Sequence, residues 1–490
     1  MKDQYNCIII GGGISGLYLL NLLTDKLGIN DICLLERTPK LGGKIQTLYD
    51  SRGNVILEKG PWRIHNSHYK ILGLIKELGL EIQENSSSKK TTSRYNFDIC
   101  KKKKIKLSKK LNKEAGYSYK DALTKKRGKC IANKIESFSK LPLIMDSTSK
   151  PYDVNMTYSG KYYIVKTGLN SICKKIGEKV KDFIKLNCNV LDVSFNGKLY
   201  KINYLFRDKN NYTNKIIYCK NIFLCLPPGY TEKWNIIQEN LLPLIYSVNT
   251  LELHHIYGYS KDLYNFNKNQ FYINTNSELS QIISGDFSNK WFQISYTSGE
   301  NARYWNKIKL QQPRLFKQLL QSTLKKNNIQ LDISKIKSYY WENAIHYWRP
   351  NYKIDVNKSS NESTYPHPIN LPNLFWCGES FSKVQGWIEG ALQTTDLVFD
   401  KFVSILNNEK IMRPIKLNKN DEYMIIDNRY IDVKKWKKVH PGSYLAIQNH
   451  LFEDISLLFR QVKHSKYSWA ILNSLQKYWV KNNKFYEIIF

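Results

Sequence analysis

The chain has no unbroken stretch of about 18 apolar residues, so no membrane-spanning helix is expected. It has no Cys-x-x-Cys either. Its nine cysteines stand at unrelated spacings, which argues against a disulfide scaffold or a zinc ribbon and fits reduced thiols in a cytosol-type compartment. The first residues, MKDQYNCIIIGGG, enter an apolar strand at once and lack the layout of a cleavable signal, so a cytoplasmic location is expected. Acid is scarce: 42 Asp and Glu face 75 Lys and Arg, a net charge of +33. Lys, Asn, Ile and Tyr are all abundant, so much of that excess reads as solvated lysine from compositional bias rather than a nucleic-acid surface. The other reading is an acidic partner or an anionic surface drawn by the long-range field.

What is present is a chain of 490 residues, 42% apolar, enough for two to four domains with proper cores. YNCIIIGGGISGLYLLNLL reads as buried strand, glycine turn and helix, with Gly11, Gly13 and Gly16 spaced as GxGxxG. Such a turn lets a pyrophosphate approach the backbone at a helix start, where free amides and the positive dipole end meet it. The next strand, DICLLE, ends in Glu36, about twenty residues on, where a carboxylate can accept the ribose hydroxyls of an unphosphorylated adenosine. Two further stretches carry glycine turns. ERTPKLGGKIQTLYD holds Gly42 and Gly43, and LEKGPWRIH holds Gly60, Pro61 and Trp62. Far downstream, NLFWCGESFSKVQGWIEGALQTTDLV offers a strand, a Gly-Glu turn and a glycine opening a helix.

Together these motifs resemble the flavin-containing amine oxidase family, over roughly residues 4 to 402. The resemblance implies non-covalent FAD, since WENAIHYWRPNY holds no cysteine where some relatives attach the flavin. It implies that Gly11, Gly13 and Gly16 cradle the pyrophosphate and Glu36 the ribose. Gly43 and Lys44 fall on a glycine-glycine-arginine element, with lysine giving a looser phosphate contact than arginine. Gly378 and Glu379 match the ribityl turn, and Gly386, Trp387 and Ile388 match the residues facing the isoalloxazine. Val190, in IKLNCNVLDVSF, matches the strand that touches adenine. For catalysis the resemblance points to aromatic walls at Trp387 and at Tyr347 or Trp348. It also places His254, with His255 beside it on the opposite strand face, where relatives carry a lysine that holds a water. Such walls suit an amine or a flat apolar small molecule.

The segment 86–130 is polar and lysine-dense, and reads as a solvated insertion or as a docking site through Lys101 to Lys104. After a proline-bearing linker, residues 421–490 resemble the cytochrome b5 family. Two short strands flank an Asp-Asn turn, His440 stands in His-Pro-Gly, and His464 follows 24 residues later. The resemblance implies haem b held by His440 and His464, packed by Trp436 and Phe459 and by Ile447, Leu451, Ile455 and Leu458. Ser443 and Lys463 replace glycines of the family pattern.

The expected architecture is α/β: a Rossmann-type FAD-binding domain interleaved with an α+β substrate domain, plus a small α+β tail. Residues 1–408 form the oxidase-like part, with FAD-binding stretches at about 1–84, 160–232 and 340–408. The substrate stretches are about 85–159 and 233–339, and a linker at 409–420 leads to the tail at 421–490. The expected function is an FAD-dependent oxidoreductase that takes hydride from an amine or related substrate and passes electrons to oxygen or to the tail haem. The alternative is an inert binding or assembly protein that keeps the folds and recruits acidic partners.

Overall fold

The opening strand Gln4–Ile10 buries Cys7, Ile8, Ile9 and Ile10 on both faces, as a central parallel strand must. It pairs in parallel with Ile32–Leu35 on one side and Asn211–Leu224 on the other. Leu374–Trp376, from far along the chain, joins the latter in parallel. Ile184–Lys185 completes one edge, and Tyr200–Asp208 and Cys188–Phe195 extend the other as an antiparallel meander. The computed structural model describes residues 3–85, 124, 160–261, 272–275, 277–283, 290–349, 355–408 and 412–488. The basic segment 86–130, with Lys101 to Lys104, lies outside them apart from Thr124.

Helices Ile14–Leu27 and Ile388–Leu406 cover one face of this sheet and pack on each other, so the two extremities of the oxidase-like part share one core. The opposite face buries Tyr200, Ile202, Ile222 and Leu224 against Trp234, Ile237, Leu241 and Leu244. A second, antiparallel sheet is centred on Val248–Tyr259, between Trp291–Ser298 and the long strand Lys335–Trp348. Helices Gly299–Gln311 and Pro313–Lys326 seal its outer face through Trp305, Phe316, Leu320 and Leu324.

The strand Lys335–Trp348 ends in the first domain, and this settles Trp348. Its ring is 1% exposed within the core of the nucleotide sheet, and its indole N–H donates to the Ser382 carbonyl at 3.2 Å. Trp348 is therefore a core residue and not the expected catalytic wall. Tyr347 is buried against Leu251, also away from the central cavity.

The tail forms its own five-stranded sheet. Strands Tyr423–Ile426 and Arg429–Asp432 meet at Asp427 and Asn428, both left-handed (φ +50° and +60°), the geometry of a tight hairpin. Met412–Ile415 pairs antiparallel with Lys484–Ile488, so part of the expected linker is an edge strand of the tail. Ile447 and Phe459, expected to pack against a haem, are buried in the tail core with Met424, Ile431 and Leu472.

Because Trp348 fills the core rather than the site, Trp348→Ala should destabilise the chain by about 3–5 kcal/mol, read as a lowered denaturant midpoint. An unchanged midpoint would place the ring outside the core.

Candidate active site

The carboxyl ends of the parallel strands open onto a cavity of about 1310 Å³, larger than a pocket for one drug-sized molecule. Gly11, Gly13, Glu36, Gly43, Gly60, Pro61, Trp62 and Val190 line it. So do Gly378, Glu379, Gly386, Trp387 and Ile388, from the other end of the oxidase-like part. Gly16 lies behind the wall. A Cβ there would stand 2.0 Å from the Gly11 carbonyl oxygen, so glycine is required for the helix to pack on the turn. A Cβ at Gly13 would meet nothing within 4 Å, so this backbone faces open space, as a surface approached by a phosphate should. Glu36 is fixed at the strand end: it accepts from the Gly12 amide at 2.7 Å and from the Thr38 amide and hydroxyl at 2.8 Å each. These features fit a dinucleotide whose pyrophosphate rests on the Gly11–Gly13 turn.

In the wall of the same cavity sits a largely buried carboxylate that ties distant parts of the chain together. Glu379 accepts from Lys44 Nζ at 3.0 Å, pairs with His346 Nδ1 at 2.6 Å and accepts from the Gly386 amide at 2.9 Å. Burial opposes its ionisation, but the Lys44 ammonium, the His346 imidazole and the Gly386 amide outweigh that and hold the carboxyl well below the usual range. Lys44 also donates to the carbonyls of Asn343 (3.1 Å) and Ala344 (2.8 Å). Lys44, which also lines the cavity, thus braces the Gly42–Gly43 turn against the strand Lys335–Trp348. His346, which sequence reasoning passed over in favour of its aromatic neighbours, is part of that brace.

At the other end of the cavity the walls are aromatic. Trp387 precedes the helix Ile388–Leu406 and lies edge-on to His68, with ring centroids 4.7 Å apart. Trp62, Tyr296 and Trp341 line the same cavity. The strand Val248–Tyr259 presents Leu253 and His255 to it. His254 faces the other side, fully buried, with Nε2 on the Ser338 hydroxyl at 2.8 Å. The expected catalytic His254 is therefore structural, and its neighbour His255 is the cavity histidine. Gln293 Nε2 lies 3.2 Å from His255 Nδ1; an amide nitrogen can only donate, so Nδ1 accepts and the proton sits on Nε2.

In the tail, His440 Nδ1 lies 3.2 Å from the Ser443 carbonyl and His464 Nδ1 lies 2.9 Å from the Phe459 carbonyl. The His464 ring stacks on Phe459 with centroids 3.9 Å apart, and Trp436 lies edge-on to His440. Close to the two histidines in sequence, Val439, Tyr444, Leu445, Leu457, Leu458 and Val462 all stand exposed, Leu457 by 71%. Among the described residues, no group of three or more His, Cys, Asp or Glu gathers to hold a metal, and no helix is long and apolar enough to cross a membrane.

The family model for flavin containing amine oxidoreductases matches residues 14–129. Coproporphyrinogen III oxidase of Bacillus subtilis is 37% identical over 86 residues, 16% of this chain and 18% of that protein. L-amino-acid oxidase of Protobothrops flavoviridis is 22% identical over 248 residues, 41% of this chain and 48% of that protein. Human amine oxidase [flavin-containing] B is 35% identical over 81 residues, 16% of this chain and 15% of that protein. The chain thus spans less than half the length of these curated relatives. Among solved structures, a putrescine oxidase triple mutant superposes with a TM-score of 0.60 at 14% identity, covering 82% of this chain and 99% of that one. An Exiguobacterium protein assigned as a protoporphyrinogen oxidase does so with the same figures. At that identity the likeness speaks for the fold. The chain is thus similar in sequence to flavin-containing amine oxidoreductases over residues 14–129, and similar in fold to solved flavin-oxidase structures over most of its length.

Two outcomes follow from this geometry. Gly16→Ala, whose methyl collides with the Gly11 carbonyl, should abolish FAD retention on gel filtration, whereas retention equal to wild type contradicts the cradle. Burial pushes the imidazoles of His68 and His254 down to about 4, with His65 and Lys309 respectively adding to the effect. Burial, with His254 adding, pushes His255 down to about 3. Each takes up its proton more readily when unfolded, so this stability is complete above about pH 6.5 and is lost as pH falls toward 3–4. Burial also pushes Glu58 up to about 7, which acts in the opposite sense and offsets roughly one of the three. Urea midpoints should therefore fall between pH 7 and pH 5; a flat profile contradicts the buried neutral histidines.

Proposed function

We propose that this chain is an FAD-dependent oxidoreductase that oxidises an amine or a related flat organic molecule. The carrying observation is a single cavity lined by Gly13 from the start of the chain and by Gly386 and Trp387 from the far end of the oxidase-like part. When bound, FAD supplies a two-electron acceptor for hydride from the substrate carbon.

The chain's own residues supply orientation, proton handling and exclusion of water. The Gly11–Gly13 turn and the start of the helix Ile14–Leu27 hold the phosphates, and Glu36 holds the ribose. The Glu379 brace fixes the turn that opens the helix Ile388–Leu406, whose positive end faces the cavity. Trp62, Tyr296, Trp341 and Trp387 form apolar walls that favour a neutral, flat substrate and displace water around it. His255, neutral at pH 7 and carrying its proton on Nε2, can donate a hydrogen bond to a water or a substrate heteroatom at that wall.

For the tail, the pairing of Nδ1 to a backbone carbonyl at both His440 and His464 supports the bis-histidine haem reading, because it presents Nε2 of each ring as the ligating nitrogen. The exposed apolar side chains that flank the two histidines in sequence suit a macrocycle. When bound, haem supplies a one-electron acceptor.

The test is a panel of amines, amino acids and porphyrinogens mixed anaerobically with FAD-loaded protein. One class should bleach the flavin band, and aerobic turnover should release peroxide unless the tail takes the electrons. His255→Ala should lower kcat by about a hundredfold while flavin is retained. A haem band at about one per chain that disappears in the His440→Ala, His464→Ala double variant is expected. No bleaching across the panel contradicts the oxidase reading, and no haem band after reconstitution contradicts the tail reading.

A further inference from the structure

We propose that the tail braces a wall of the flavin cavity from behind: docked on the oxidase-like part, it clamps the segment at the cavity's nucleotide end and so sets how tightly FAD is held. This inference rests on the flavin reading above. It starts from a five-residue π-helix, Ile237–Leu241, followed at once by the short helix Leu242–Ile245. A π-turn is rarely stable alone and is usually held by something outside itself.

Here that something is the tail. Arg460 donates from Nη1 to the Gln238 carbonyl at 3.2 Å and from Nη2 to the Glu239 carbonyl. Arg429, 3% exposed, donates to the Asn240 carbonyl at 2.5 Å. Three successive carbonyls of the turn thus receive guanidinium donors, which form stronger bonds than neutral ones. Leu242 and Tyr246 pack into the hydrophobic core of the tail itself.

The same segment is the cavity wall. Glu232, Trp234, Gln238, Leu242 and Tyr246 all line the cavity that Val190 and Glu36 line. Lys466, the first residue of the tail helix Lys466–Leu475, pairs with Glu232 at 2.6 Å and lies over the Tyr246 ring, 4.8 Å from its centroid. Tyr246 in turn donates its hydroxyl to Glu232 at 2.9 Å. Further contacts fix the tail so that it does not swing on a tether. His367 Nε2 meets the Asp427 carbonyl at 3.1 Å, Asn428 donates to Asn370 at 2.7 Å, and Lys358 reaches the Gln476 carbonyl at 3.0 Å.

Coupling of this kind is reciprocal. If the docked tail tightens FAD binding, bound FAD must stabilise tail docking by the same factor. Lys466 follows His464 by two residues, so a ligand that orders the His464 loop acts on the same wall.

The experiment uses the full chain with the double substitution Arg460→Ala, Lys466→Ala. FAD affinity is read by fluorescence titration, and hydrogen exchange is followed over 234–246 and over the tail strands 423–432 and 476–481. The expected result is FAD binding weakened about tenfold and faster exchange in 234–246, with the tail sheet still protected. Adding FAD to wild type should in turn slow exchange in both regions. Wild-type FAD affinity and unchanged exchange in the variant overturn the proposal. If the tail sheet also loses protection, Lys466→Ala alone carries the test, since its exposed side chain plays no part in the tail core, and about threefold weaker binding is expected. Wild type that binds no FAD refutes the flavin reading instead, and the clamp is then judged on exchange in 234–246 alone.

Discussion

One buried carboxylate organises the molecule. Glu379 is largely shielded from solvent, and its ionised form is favoured because Lys44, His346 and the Gly386 amide converge on it. Those partners come from the glycine turn after the second strand, the long strand of the second sheet and the entry to the last helix of the oxidase-like part. Removing any one leaves a buried charge without its compensation, which costs far more than the pair contributes in isolation. The cavity inherits its shape from this constraint, since Gly43, Gly378 and Gly386 stand beside the residues it locks.

A second set of contacts extends that logic to the tail. Guanidinium groups of Arg429 and Arg460 hold the carbonyls of a π-turn that lines the nucleotide end of the cavity. The aromatic end of the cavity rests on strands of the second sheet, whereas part of the end lined by Glu36 and Val190 rests on a segment that packs against the tail. On the proposed reading, that arrangement would make cofactor retention sensitive to the tail while leaving the aromatic walls alone.

Legibility in the sequence followed the range of the interactions. The glycine turn, the acid at Glu36 and the Gly-Glu turn are local signals with fixed spacing, and the structure brings them to one cavity. Which of two adjacent histidines faces inward depends on strand register, and a one-residue slip exchanged His255 for His254. Trp348 looked like a site aromatic because its neighbours are aromatic too; only the three-dimensional path of its strand puts it in the core. The brace of Lys44, His346 and Glu379 spans more than three hundred residues and leaves no local mark. Met412–Ile415 read as linker because of Pro414, which an edge strand tolerates and a central one does not.

The central claim is that turns from both extremities of the oxidase-like part hold one FAD. Its most direct test is flavin stoichiometry after saturation with FAD and gel filtration, on wild type and on Glu379→Ala. The account predicts about one FAD per wild-type chain and almost none on the variant. Wild-type protein that elutes folded without flavin, or a variant that keeps it fully, would contradict the account.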